Sequence, residues 1–87
     1  MELTGKLIKM LEPETGEGKN GTWIKQSVII ETSDKYPKPV QISFFGSELS
    51  EQIRKKFIGE EITVSINVES REYNERWYTE VKGWKIQ

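Results

Sequence analysis

Apolar and polar residues alternate most regularly in the segment from Ile62 to Glu69. Every second position of this segment is a β-branched apolar residue, namely Ile62, Val64, Ile66 and Val68. Because successive side chains of a strand point to opposite faces, this pattern predicts a strand with one buried and one solvated face. The polar segment Tyr73–Glu75 predicts a turn, since Asn74 tolerates a left-handed conformation, and a return strand follows to Ile86.

The return strand has two predicted faces and one interruption. One face carries Trp77, Thr79 and Val81, and the other carries Tyr78, Glu80 and Lys82. Gly83 breaks this alternation and predicts a bulge, after which Trp84 and Ile86 rejoin Val81 on the buried side. We therefore expect Val81, Trp84 and Ile86 to complete the core, and residues 71–78 to form a short loop and rim.

Three further strands are predicted upstream of this hairpin. They comprise Met1–Leu11, in which Gly5 permits a sharp bend, Thr22–Thr32, and Val40–Gly46. Residues 12–21 contain three glycines, a proline and an asparagine, which predicts a flexible connector between the first two strands. This segment lacks the Gly-Lys-Ser/Thr ending of a phosphate-binding P-loop.

The apolar period changes to four between Ser47 and Phe57. Leu49, Ile53 and Phe57 predict one short amphipathic helix with Ser47 as its N-cap, and Gly59 lies just past the expected end. The predicted order is three strands, a helix and two strands. This is the topology of a five-stranded OB-fold barrel with one helix between its third and fourth strands, an all-β architecture.

Two adjacent aromatic residues, Phe44 and Phe45, end the third predicted strand and must point to opposite faces. Only one of them can enter the barrel core. We expect Phe44 to be in the core, together with Trp84 and Phe57, which leaves Phe45 for a second cluster or a functional surface.

Composition restricts the possible chemistry. The 87 residues suffice for one domain, spanning 1–87, and the chain contains no cysteine and no histidine. These absences argue against an enzyme and against a zinc site, and no cofactor is expected. The chain has neither a leader pattern nor an apolar run long enough for a membrane, which favours a cytoplasmic protein. The net charge of −1 lowers the expectation of a nucleic-acid partner unless the 13 lysines and arginines gather on one face.

Several short segments resemble the bacterial single-stranded DNA-binding proteins of the OB fold. They include Phe45-Gly46, Gly59 followed by the alternating strand that ends at Arg71, and the segment Arg76-Trp77-Tyr78-Thr79-Glu80-Val81. Within that superfamily the sequence is most similar to small stand-alone OB domains of unknown function. The resemblance implies a non-catalytic domain that binds single-stranded nucleic acid, DNA more than RNA, with Phe45 at a base-stacking position.

Single-strand binding requires exposed aromatic rings for the bases and cations for the phosphates. The predicted interface consists of Trp23, Tyr36, Phe45, Tyr73 and Trp77 as stacking platforms, with Lys19, Lys25, Arg71 and Arg76 as cations. Further candidates outside this set are Tyr78, Lys6, Lys38 and Lys82. Trp77 has the parity of Val81 and is equally compatible with the core, and Arg71 and Arg76 could instead pair with Glu72 or Glu75.

A different class of function also fits this sequence. In that alternative the domain is a protein-interaction or homo-oligomerisation module that does not bind nucleic acid. Trp77, Tyr78 and an open strand edge would then contact a partner or a second copy. The near-neutral charge favours this alternative.

Overall fold

A computed structural model describes residues 1–19 and 21–87 of the chain. Its elements are β1 (Glu2–Met10), β2 (Glu14–Gly18), β3 (Gly21–Thr32), β4 (Pro39–Phe45), α1 (Ser47–Arg54), β5 (Glu61–Tyr73) and β6 (Arg76–Ile86). Among the described residues, no helix has the length and apolar character needed to cross a membrane.

Five of the six strands close into a barrel. Following hydrogen-bonded neighbours, the ring runs β1-β5-β6-β4-β3 and returns to β1 through a β1–β3 pairing. The β4–β6 pairing is parallel, whereas the other pairings are antiparallel. With α1 between the third and fourth barrel strands, the protein is an OB-fold barrel, which confirms the predicted fold.

The first strand closes the ring because it pairs with neighbours on both sides. Its beginning pairs with β5 and its later part pairs with β3, and Gly5 takes part in both pairings, opposite Ile62 and Thr32. A Cβ atom at Gly5 would lie 2.2 Å from the backbone oxygen of Glu31. The position therefore needs glycine because the neighbouring backbone approaches too closely for a side chain.

This close approach makes Gly5→Ala a test of barrel closure. The substitution should lower the free energy of unfolding by about 1–3 kcal/mol, since backbone must move to admit the methyl group. Gly18→Ala is the matched control, because the nearest atom to its added Cβ would lie at an ordinary 3.7 Å. Urea denaturation of both variants measures the difference, and equal stability would contradict the structure at Gly5.

The prediction of a flexible connector at residues 12–21 is wrong for most of that segment. Glu14–Gly18 form β2, which pairs antiparallel with the start of β3 through partners such as Gly16 and Trp23. One glycine of this segment, Gly16, lies beneath the indole of Trp23, which composition alone does not show. The sheet thus has a sixth strand outside the ring.

The helix is shorter than predicted. It ends at Arg54, and its N-cap is Gly46, with a φ of 97° and no side-chain cap, so Ser47 is the first helical residue. Because the chain leaves the helical path before Phe57, this residue does not continue the face of Ile53. Phe57 is 76% exposed, and its prediction as a core residue is wrong.

The core lies inside the ring and is made of aliphatic side chains and one aromatic ring. Its buried members are Leu7, Val28, Ile30, Ile42, Phe44, Ile53, Ile62, Val64 and Ile66, with Val81 and Ile86 packed against them. Phe44 is in the core as predicted. Trp84 is not, because it is 54% exposed.

The bulge on the return strand explains the error for Trp84. Ser65 pairs with Lys85 and Ile66 with Gly83, so Trp84 is the extra residue without a partner. The predicted bulge is confirmed, but it is the buried Gly83, against the ring of Phe44, that occupies the inward position. The barrel interior has no space for an indole there.

The β5–β6 hairpin extends far beyond the barrel. Only Asn74 and Glu75 form the turn, both at positive φ (52° and 64°), which matches the left-handed turn that joins two twisted strands. Residues 67–79 are all exposed. The expected loop and rim at residues 71–78 is therefore a paired ribbon that projects into solvent.

Candidate nucleic-acid interface

The outward sides of β3, β4, β6 and β5 form one continuous surface, which we call the groove face. Residues paired directly across neighbouring strands share a face, and the pairings Lys25–Phe45, Ser43–Lys82, Glu69–Glu80 and Arg71–Tyr78 define it. Between the ribbon and β4 this face forms a groove of about 320 Å³.

Phe45 lies on the groove face between two lysines. The Nζ atoms of Lys25 and Lys82 lie 5.6 Å and 5.1 Å from the centroid of its ring. The ring is 38% exposed, whereas the adjacent Phe44 is fully buried. An exposed ring with a cation on either side can stack on a base while the cations contact the flanking phosphates.

Trp23 lies on the same face, two residues before Lys25 on β3. Its indole is 44% exposed and lies against Gly16 on β2, where an added Cβ would fall 2.4 Å from the indole Cζ2. Gly16 therefore supports the indole from one side. Trp23 and Phe45 are diagonal neighbours across β3 and β4, which places two aromatic platforms on either side of Lys25.

Carboxylates neutralise most of the cations on the groove face. Glu80 lies between two of them, with Oε1 3.7 Å from the Lys25 Nζ and Oε2 3.5 Å from the Arg71 guanidinium. Lys25 also lies 3.9 Å from Glu14, and Lys82 contacts Glu69 at 2.6 Å. The face is thus internally paired, in keeping with the net charge of −1.

Buried hydroxyls support the centre of this face. Ser27 and Ser43 pair across β3 and β4, both nearly inaccessible to solvent, with their Oγ atoms 3.1 Å apart. Small, hydrogen-bonded side chains here keep the sheet surface low beside Lys82 and Phe45.

The structure brings together some of the predicted interface residues and separates others. Trp23, Lys25 and Phe45 lie close together, and Arg71 lines the groove, where its guanidinium pairs with Glu80. Arg71 therefore does not pair with Glu72 or Glu75. Tyr73 and Arg76 pair across the ribbon tip on the same face, roughly 20 Å from Lys82 at about 3.3 Å per residue.

The remaining three predicted residues lie elsewhere. Trp77 is 68% exposed, and it is neither in the core nor on the groove face, because it pairs with Glu72 on the opposite side of the ribbon. Tyr36 lies in the β3–β4 connection, at the far end of β3 from Trp23, with Lys35 5.8 Å from its ring. Lys19 is exposed in the turn after β2.

Glu80 is absent from the candidate residues of the sequence analysis, and Lys82 is there only as a further candidate cation outside the nine residues of the predicted interface. Strand parity places them on one face with Tyr78, and this signal is present in the sequence. Their meeting with Phe45 and Lys25 depends on the parallel β4–β6 pairing, which joins segments about forty residues apart and has no local signature. Among residues 1–19 and 21–87, no group of three or more acidic side chains is placed to hold a metal ion.

The fold and this face define an OB-fold domain with an exposed sheet surface that carries aromatic rings and paired charges. Residues 2–87 match the family described as "Domain of unknown function (DUF3127)", and the chain belongs to that family. No curated protein matches the sequence.

Two solved structures with the same fold align with nearly the whole chain. The SSB domain of a Synechococcus sp. protein aligns with a TM-score of 0.69 at 10% identity, over 99% of this chain and 90% of that one. The small single-stranded DNA-binding protein from Streptomyces coelicolor aligns with a TM-score of 0.53 at 10% identity, over 100% and 90% of the two chains. At this identity the likeness establishes the fold.

Proposed function

We propose that this domain binds single-stranded nucleic acid, DNA in preference to RNA, without catalysing a reaction. The observation that carries the proposal is the half-exposed ring of Phe45 between the ammonium groups of Lys25 and Lys82, with the indole of Trp23 beside them. Stacking on exposed rings combined with cations along the backbone is the general mode of single-strand binding. The names of the two aligned structures support the same function.

In the proposed complex, a strand crosses β3 and β4 and continues along the ribbon. Two bases stack on Trp23 and Phe45, and phosphates contact Lys25, Lys82 and Arg71. Tyr73 and Arg76, at the ribbon tip, contact the strand only when it is long enough to reach them. Trp77 and Tyr36 lie too far from this path to take part.

A second function is favoured by a specific feature of the ribbon. Its side opposite the groove face exposes Val68 (53%) and Trp77 (68%), and the projecting parts of β5 and β6 have no further strand partner among the described residues. An isolated two-stranded ribbon is of marginal stability in water, so a partner protein or a second copy would stabilise it. This alternative predicts a larger species on size exclusion and no response to oligonucleotides.

Fluorescence anisotropy of labelled oligo-dT, titrated with the purified protein, tests the proposed function. We expect saturable binding that weakens with salt, with a slope of log K against log salt near −3 for an oligonucleotide long enough to reach Arg76, if Lys25, Lys82, Arg71 and Arg76 each contribute about −0.7. Duplex DNA of the same length should bind more weakly because its bases cannot stack on the rings, and oligo-U replaces oligo-dT to compare RNA with DNA. Absence of binding at low salt, together with a dimer on size exclusion, would support the second function instead.

A further inference from the structure

Glu80 is a carboxylate placed where a binding surface for phosphates would be expected to carry only cations. Its side chain is 21% exposed and lies between Lys25, from β3, and Arg71, from the ribbon. No other carboxylate of the described residues contacts two cations from different elements. Glu80 therefore joins the barrel sheet to the projecting ribbon.

The contacts of this carboxylate are long. Charge-assisted pairs are usually 2.7–2.9 Å long, whereas Glu80 lies 3.7 Å and 3.5 Å from its two cations. Glu80 Oε1 is buried, and no donor among the described residues hydrogen-bonds to it. By contrast, Lys82 and Glu69 on the same face form a tight pair at 2.6 Å.

A buried carboxylate oxygen without a hydrogen bond is unfavourable, so this arrangement does not serve stability well. Its geometry instead holds two cations loosely around a single negative charge. A phosphate group has the same charge sign and more acceptor oxygens, and it can take both cations once the carboxylate moves away.

We propose that Glu80 is an internal competitor for nucleic-acid phosphate, and that its displacement from Lys25 and Arg71 accompanies binding. This inference rests on the proposed function and adds a residue that sets affinity and salt dependence. In the free protein Glu80 screens both cations, which lowers affinity for isolated anions. A nucleic-acid strand that also stacks on Phe45 and Trp23 gains enough binding free energy to displace the Glu80 carboxylate.

Displacement has a consequence for salt dependence. When phosphate takes Lys25 and Arg71, the freed carboxylate acquires cations from solution, which offsets part of the cation release from the nucleic acid. Removing the carboxylate removes this uptake. The salt slope of a variant without the charge should therefore be steeper than that of the wild type.

The test compares Glu80→Gln and Glu80→Ala with wild type, using labelled oligo-dT at several salt concentrations. Glu51→Gln is the matched control, since Glu51 has the same charge, is 73% exposed on α1 and, among the described residues, pairs only with Lys55. Both Glu80 variants should bind about 3- to 10-fold tighter at low salt, because two weak ion pairs no longer compete. Their slopes should steepen by up to about 1, whereas Glu51→Gln should change neither quantity.

The outcomes separate this inference from the proposed function. If wild type binds and the folded Glu80 variants bind equally or more weakly, the inference is wrong and the proposed function stands. If only the Glu80 variants bind, the competitor role is correct and single-strand binding by the wild type is not. If no variant binds, both are wrong. Circular dichroism spectra and thermal melts establish that each variant is folded.

Discussion

Replacing Trp23 and Phe45 together by alanine should abolish binding of oligo-dT while the domain stays folded. Each stacked base contributes on the order of 1–3 kcal/mol, so the loss of two platforms removes about 2–6 kcal/mol and weakens affinity at least about 30-fold. Each single variant should lose about 5- to 150-fold by the same reasoning. Anisotropy titration at fixed salt measures these losses.

The control for this prediction is Trp77→Ala, which removes a more exposed indole (68% against 44% for Trp23) on the opposite side of the ribbon. Its affinity should stay within about twofold of wild type, since it lies off the proposed path of the strand. Trp23→Phe adds a second readout, because it retains a stacking ring but removes the fluorophore. If Trp23→Phe binds oligo-dT with much reduced quenching of tryptophan emission, the strand lies over Trp23. If the double alanine variant of Trp23 and Phe45 binds as the wild type does, the assigned interface is wrong.

The second large effect concerns the neighbouring Phe44. Phe44→Ala should lower the free energy of unfolding by about 3–5 kcal/mol, because the ring is fully buried and its removal leaves a cavity against Gly83. The total free energy of unfolding of such domains is about 5–15 kcal/mol, so this substitution would remove a substantial part of the stability. Urea denaturation, with the free energy extrapolated to water, measures the change.

Phe45→Ala is the matched comparison, since the two residues are adjacent and chemically identical. Its free energy of unfolding should change by less than about 1 kcal/mol, because the ring is partly exposed and outside the core cluster. The two substitutions should therefore have opposite phenotypes, with stability lost at Phe44 and binding lost at Phe45. Similar destabilisation by both would mean that Phe45 is a structural residue.

Sequence periodicity predicts the strands and the helix of the barrel, but it does not predict which aromatic residues are buried. The alternation at Ile62–Val68, the period of four at Leu49 and Ile53, and the turn at Asn74 follow from local physics, and each appears in the structure. Parity predicts that Trp84 enters the core, provided that the bulge at Gly83 restores the alternation. The bulge instead makes it the unpaired residue, and the register of a bulge depends on both strands.

Composition misled the prediction for the glycine-rich segment. Glycine and proline usually mark a loop, yet β2 forms because Gly16 leaves room for the indole of Trp23 on the next strand. For the candidate interface, too, local sequence predicts single residues but not the contacts between them. The sequence predicts Trp23, Lys25 and Phe45 one by one, whereas the contacts of Lys82 and Glu80 with them arise from strand pairings between distant segments.

Titration of a uniformly ¹⁵N-labelled sample with unlabelled oligo-dT tests most directly whether single-stranded DNA binds to the groove face. We expect saturable chemical-shift changes concentrated in the amides of residues 22–27, 41–46 and 78–83, together with the indole N–H of Trp23. The indole N–H signals of Trp77 and Trp84 should remain in place. Absence of saturable shifts, or shifts centred on Trp77, Trp84 and Phe57, would contradict the account.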